Sequence, residues 1–448
     1  MENGRCRRLK DLVSRHHYWS VLVFILLVKI LIWTWSLAVA HWVPVTPLRY
    51  FSGGHHYQID PRITEHRVDF LSIWIYSDSE WYLSIAERGY PDTEGMKKAA
   101  AAQAARIGYP YTFSPGDPVA KHRKYTEWDA DAKYAFFPLY PLTIALFHLL
   151  LPLHLAAFVA TNTLSALAFL LLYALVFEYF ADKGLAFRSL VLLVFYPFSV
   201  FYQAYFTEGL FLLLAVLSFY LLKKGRLGLA VASGALLAAT KATGVLITIP
   251  LLILVIKQSA PAPDRAARRA EKLKRKTARI GPINWSRCGT ACLVPLGLAS
   301  YAFFNRWNTG YWDYFSRALG RWGYQSTEVF DNALTNIFVT GSRLFRLKLF
   351  TYGECVVEYA VMVIFLALIV LSYRRLPLEL WSFSLLVWLA PIISKDLVSF
   401  SRYMSVSFPM FIYLAGIRRR LVFGILCACF VAGSLLTGGM MVTWHWVG

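Results

Sequence analysis

Residues 19–40 form one apolar run, and apolar runs of similar length recur to the end of the chain, most of them closed at alternate ends by Lys and Arg. Crossing the hydrocarbon of a bilayer takes roughly 20 apolar residues, because helical backbone rises only about 1.5 Å per residue. With 57% hydrophobic residues and a mean hydropathy of +0.48, the chain has far more apolar surface than one soluble core needs. The pattern predicts an all-α, polytopic membrane protein of a single domain over residues 1–448. The first run is too long for the apolar core of a cleaved signal peptide and reads as a signal anchor.

The net charge of +20 does not describe a nucleic-acid-binding surface. The basic residues cluster at span ends, as the positive-inside rule expects, so the charge reports topology and contact with membrane lipids. Arg5, Arg7, Arg8 and Lys10 keep the N-terminus cytoplasmic. Alternation from there gives about 11 spans, near residues 19–40, 155–180, 189–204, 207–222, 227–241, 243–257, 288–304, 354–373, 378–394, 403–417 and 421–443, with a kink at Pro197. Three connections stand out. Residues 41–154 form a long external loop with a helix over 78–88, a polar insertion at 93–134 and a juxtamembrane helix at 136–152. Residues 257–287 form a cytoplasmic basic loop, and 305–353 a second external region. The segment 136–152 contains Pro138, Pro141 and Pro152, and counting it as a span breaks the charge alternation downstream.

The six cysteines show neither zinc-site spacing nor a disulfide framework and read as small buried residues. Walker-A and nucleotide-binding glycine loops are missing from the sequence, which argues against an ATP-driven pump or a nucleotide-sugar enzyme with a soluble domain.

This topology gathers the unusual polar residues on one side: Asp78, Glu80, Arg88, Glu208, Lys241, Trp312, Asp313, Lys395, Asp396, Arg402 and Tyr403. Acidic side chains at a membrane boundary are costly and tend to be functional. Asp78 is the candidate catalytic base, able to take a proton from a sugar hydroxyl, with Glu80 the competing carboxylate. The structural alternative for Asp78 is a helix N-cap. Lys241, Arg402 and, more weakly, Lys395 suit a phosphate leaving group; their alternative is snorkelling to the interface. Glu208, beside Tyr202 and Gln203, suits sugar binding or serves as a first-turn acid. Trp81, Tyr82, Arg88, Tyr90, Trp312, Asp313 and Tyr403 are further candidates for substrate contact, with an interfacial aromatic belt as the alternative for the aromatics near Trp312. Lys29, inside the first span, costs roughly 2.5–3.5 kcal/mol on insertion scales unless paired, and the sequence names no partner. No motif requires a cofactor; a divalent cation held by Asp78 or Glu80 stays open.

Five segments then fit one family in order. They are DSEWYLSIAERGY from Asp78, AFFPLYPL from Ala135, YPFSVFYQAYFTEGLF from Tyr196, ALLAATKATG from Ala235 and SRYMSVSFPMF from Ser401. Together they resemble the PIG-V family, the second mannosyltransferase of glycosylphosphatidylinositol assembly and its prokaryotic relatives, over most of residues 74–411. The resemblance implies a GT-C bundle whose first external loop carries an acidic catalytic residue, at Asp78 here, and juxtamembrane helices. It implies inverting transfer of mannose or a similar sugar from a polyprenyl or dolichyl phosphate donor to a glycolipid or other acceptor. The site would face the external or lumenal side, of the plasma membrane in a prokaryote or of the endoplasmic reticulum in a eukaryote. The chain departs from the pattern at Tyr76-Ser77, where Arg-Trp is common, at Lys241, where Arg is common, and in its 93–134 insertion. A flippase for lipid-linked sugars and a non-catalytic assembly subunit are the alternative readings.

Overall fold

The computed structural model describes residues 2–43, 69–92, 94–95, 130–259, 283–319, 353–393, 397, 399–443, 445 and 447. Among these the secondary structure is entirely helical. In chain order the helices are α1 (Glu2–Trp42), α2 (Ser79–Arg88), α3 (Leu139–His148), α4 (Leu153–Phe180), α5 (Lys183–Val194), α6 (Glu208–Lys223), α7 (Leu227–Thr240), α8 (Thr248–Ser259), α9 (Trp285–Ala291), α10 (Leu296–Thr309), α11 (Tyr314–Leu319), α12 (Gly353–Ser372), α13 (Leu378–Ile393), α14 (Phe400–Met404), α15 (Phe408–Ala415) and α16 (Arg420–Val442). Short 3₁₀ turns at Ser72–Trp74, Ala130–Ala135, Ser199–Tyr202 and Ala242–Ile247 link them.

Every apolar segment expected to span that lies among the described residues is helical for most of its length. Among the described residues, four helices are long and apolar enough to cross a membrane: His17–Trp42, Leu153–Phe180, Ala242–Ser259 and Arg420–Val442. A fifth crossing arises if α9 and α10, bent by 43°, count as one. The expectation of about 11 spans exceeds this because several segments are cut short. The 189–204 segment is the clearest case, since α5 ends at Val194 and Pro197 follows before a 3₁₀ turn. Twelve residues of α5 rise only about 18 Å, well short of the hydrocarbon thickness. The three prolines of the 136–152 segment act as helix starters: Pro138 and Pro152 precede the first turns of α3 and α4, and Pro141 sits within the first turn of α3. There a missing backbone N–H costs nothing.

Small residues set the packing. α4 buries Ala156, Ala157, Ala160, Ser165 and Ala168 and packs along α6, while α6 packs along α7. At Gly297 the backbone of α10 meets α7 so closely that a Cβ would lie 1.7 Å from the Ala235 carbonyl oxygen. Such close approach is the main source of helix attachment where lipid removes the hydrophobic drive. Helices α6 and α7 follow one another antiparallel: Glu208 and Lys241 lie at one end of the pair, Lys223, Lys224 and Arg226 at the other. At that basic end Gln258 donates to the Leu222 carbonyl and Arg287 to Gln258, which brings Arg287 to the same end.

The cysteines depart in part from the expected burial. Cys288 is buried and Cys427 intermediate, but Cys292, in the turn after α9, and Cys429, on α16, are exposed. A weakly polar thiol is as compatible with an apolar exterior as with a core.

Candidate functional site

Ser77 adopts a left-handed conformation (φ 45°), and the chain then enters α2 at Asp78. Asp78 stands at the N-cap position, but its side chain makes no capping hydrogen bond. It turns instead to Arg402, whose Nη1 donates to Asp78 Oδ2 at 3.2 Å. The N-cap alternative therefore describes where Asp78 sits and not what its carboxylate does.

Arg402 lies on the short helix α14 and is buried. Its Nε is 3.4 Å from Glu208 Oε1, its Nη2 donates to the Tyr403 hydroxyl at 3.3 Å, and the rings of Phe201, Phe206 and Tyr403 surround its guanidinium at 5.1–5.3 Å. Glu208 is the first residue of α6, so the helix dipole favours its charge, and it is only 3% exposed. Glu208 is thus the first-turn acid of α6, and its carboxylate also joins the charged cluster. Lys241 caps the end of α7 in an extended conformation. Its Nζ lies 3.9 Å from Glu208 Oε1 and 3.9 Å from the centre of the Tyr403 ring. Gly244 makes this exit from α7 possible, since a Cβ there would sit 2.3 Å from the Leu237 carbonyl oxygen.

Two cations and two carboxylates from distant parts of the chain thus form one balanced network. Burying unpaired charge is expensive, and pairing offsets that cost. Tyr82 joins from α2. Its hydroxyl is held far above the usual phenol range, first by burial and then by the charges of Asp78 and Glu208, so it stays neutral. Glu80 lies in the first turn of α2, part-buried. Among the described residues, no group of three or more His, Cys, Asp or Glu side chains is placed to hold a metal ion.

The other candidates lie elsewhere. Trp81 stacks on Phe136 at 5.6 Å. Arg88 is exposed and pairs with Glu87. Tyr90 donates to the Phe136 carbonyl at 2.5 Å within a knot of Tyr134, Tyr301 and Phe304. Tyr202 donates to the Ser405 carbonyl. Asp313 pairs with Arg317 one helical turn on, and Trp312 is exposed. Lys395 and Asp396, most of the 93–134 insertion, most of the basic loop 257–287 and residues 320–352 of the second external region lie outside the described residues.

Gln203 answers the question of Lys29. The buried ammonium donates to Gln203 Oε1 at 2.9 Å, Asn162 Oδ1 at 2.9 Å and Ser165 Oγ at 2.8 Å, and Trp33 Nε1 also donates to Gln203. Three acceptors match the three N–H bonds of the ammonium. Sequence reasoning missed these partners, and it missed Glu358, a buried acid on α12 beside Ser401. The signal for Glu358 was a lone carboxylate inside an apolar run.

Comparison with family models, with curated proteins and with solved structures finds no match to this chain.

Proposed function

We propose that this chain is an inverting membrane glycosyltransferase of GT-C type, moving mannose or a similar sugar from a polyprenyl or dolichyl phosphate to a glycolipid or other membrane-proximal acceptor. The observation that carries the reading is the convergence of Asp78, Glu208, Lys241, Arg402 and Tyr403, from four segments distant in sequence, in one charged cluster. Four of the five segments that resemble the PIG-V family contribute to it, and the fifth, from Ala135, packs on α2 through Phe136.

In this reading Asp78 accepts the proton of the acceptor hydroxyl. The hydroxyl oxygen bonds to the anomeric carbon as the bond from that carbon to the phosphate oxygen breaks, and the electron pair leaves with the lipid phosphate. Arg402 and Lys241 stabilise that departing charge, an electrostatic contribution that is commonly the largest in such sites. The phosphate competes with Asp78 and Glu208 for the guanidinium, so donor binding releases Asp78 to act as base. Tyr82, kept neutral, can donate a hydrogen bond without adding charge.

The antiparallel course of α6 and α7 supports the placement of the cluster on the external or lumenal side, because the basic residues at their opposite end mark the cytoplasm. About 11 crossings, some short or broken, complete the proposed topology.

The test is transfer of labelled mannose from polyprenyl-phosphate mannose to a glycolipid acceptor by full-length protein in detergent or vesicles. Transfer with inversion at the anomeric carbon is expected. Movement of the lipid-linked sugar across vesicles without transfer would overturn the enzyme in favour of a flippase.

A further inference from the structure

Arg402 sits on a helix of five residues, too short to be held by its own hydrogen bonds. The residue that precedes the helix, Ser399 at the N-cap, is in the left-handed region (φ 66°). Something outside the helix must hold it. Glu358, on the apolar helix α12 and 4% exposed, accepts from the Ser401 backbone N–H at 2.5 Å with Oε2 and from Ser401 Oγ at 2.9 Å with Oε1. Tyr196 donates to the Ser401 carbonyl at 3.0 Å, and Tyr202 to the Ser405 carbonyl at 3.0 Å. Ser405 Oγ closes the turn on the Arg402 carbonyl at 2.6 Å.

A carboxylate buried in an apolar helix is costly, and a neutral acceptor would satisfy a single N–H as well. Both oxygens are used here, on two donors of one residue, which defines the position and rotation of Ser401 with respect to α12. Arg402 is the next residue. The guanidinium must meet Asp78 and Glu208 together, and both contacts are long enough (3.2 and 3.4 Å) that a small displacement would break one of them.

We infer that Glu358 is a positioning residue for Arg402: its two-point grip on Ser401 places the guanidinium between Asp78 and Glu208. This rests on the proposed transferase reading only for its catalytic consequence; the placement of Arg402 can be measured without it.

The experiment combines E358L and E358Q with D78N in full-length protein. Melting in detergent is measured for E358L, D78N and the double variant, and transfer kinetics for each single variant. If Glu358 acts through Arg402, the two changes share a partner and are not additive, so the D78N shift shrinks markedly in the E358L background. Transfer by E358L falls about 10–100-fold, in the range a misplacement of about 1 Å produces, with donor KM raised and acceptor KM little changed. E358Q keeps one acceptor oxygen and recovers part of the rate. Should E358L fail to fold, the same cycle with E358Q decides. Additive melting shifts, or an E358L effect confined to stability with unchanged kinetic constants, would overturn the positioning role. A wild type that transfers no sugar would overturn the transferase reading alone, and the melting cycle would still decide the role of Glu358.

Discussion

Arg402 and Asp78, 324 residues apart in sequence, meet through one hydrogen-bonded ion pair at 3.2 Å. The same guanidinium reaches Glu208 at 3.4 Å, so a single side chain ties the start of α2, the start of α6 and the short helix α14. The cation that would hold a leaving phosphate also holds the carboxylate that would act as base.

Asp78→Asn tests that coupling most directly. The side chain keeps its shape and loses its charge and basicity. Transfer should fall by about 10²–10⁴, the usual worth of a general base. Breaking a buried pair costs about 3–5 kcal/mol, and Asp78, whose side chain is 25% exposed, should lie below that range. Equal transfer by a folded D78N protein would move the base to Glu80.

Arg402→Lys separates charge from geometry. A lysine is a point charge without the planar fork that reaches two carboxylates and the Tyr403 hydroxyl. Donor KM should rise by about 10-fold or more, at roughly 1.4 kcal/mol per decade, with acceptor KM nearly constant. Steady-state kinetics with varied donor and acceptor check this, and a uniform loss in both would speak against a phosphate contact.

Lys29→Met should destabilise the bundle and spare the chemistry. It removes the donors that three buried oxygens share, and each acceptor left without a partner costs about 1–3 kcal/mol, less where it finds another donor. Detergent melting should drop clearly while donor and acceptor KM hold. Because Ser165 also donates to the Tyr202 carbonyl, a changed donor KM would instead show that the Lys29 cluster reaches the charged site.

Lys133 gives a pH signature. It packs against the end of α2, donating to the Gly89 and Ser84 carbonyls at 3.3 and 3.5 Å. Burial, with Arg88 nearby, lowers its ammonium to about 8, Glu87 opposing. The unfolded value is about 10.4, so between about pH 8 and pH 10.4 the unfolded chain binds more protons than the folded one. Stability from this group therefore rises with pH across that window, and its penalty is fully present below about pH 8. Melting curves from pH 7 to 10.5 should show this slope in the wild type and less of it in Lys133→Met.

Gly297→Ala tests the close approach of α10 to α7. A methyl group 1.7 Å from the Ala235 carbonyl oxygen forces the helices apart, costing at least the 1–3 kcal/mol typical of overpacking. Melting and expression of folded protein measure it; an unperturbed variant would mean the helices are not so close.

The sequence by itself determined the helical class, the apolar segments and the polar residues worth suspecting. Lipid-compatible runs and the Lys and Arg at their ends are local properties, readable without knowing what touches what. Asp78, Glu208, Lys241 and Arg402 were suspect for the same reason, since charge beside apolar sequence needs a cause. Tertiary structure alone decided which of these meet. Asp78 is a candidate base in sequence, with a helix cap as its alternative, and in space it stands at the N-cap position with its carboxylate on Arg402; Gln203, a candidate for substrate contact, accepts a hydrogen bond from Lys29. Arg88 and Asp313 have the same residue types yet pair with close neighbours in sequence, Glu87 and Arg317, away from the cluster. Pairing across hundreds of residues is set by how α4, α6, α7 and α12 pack, and packing depends on small residues at many sites together. No single window of sequence holds that information, which is why Glu358 stayed hidden until Ser401 was beside it.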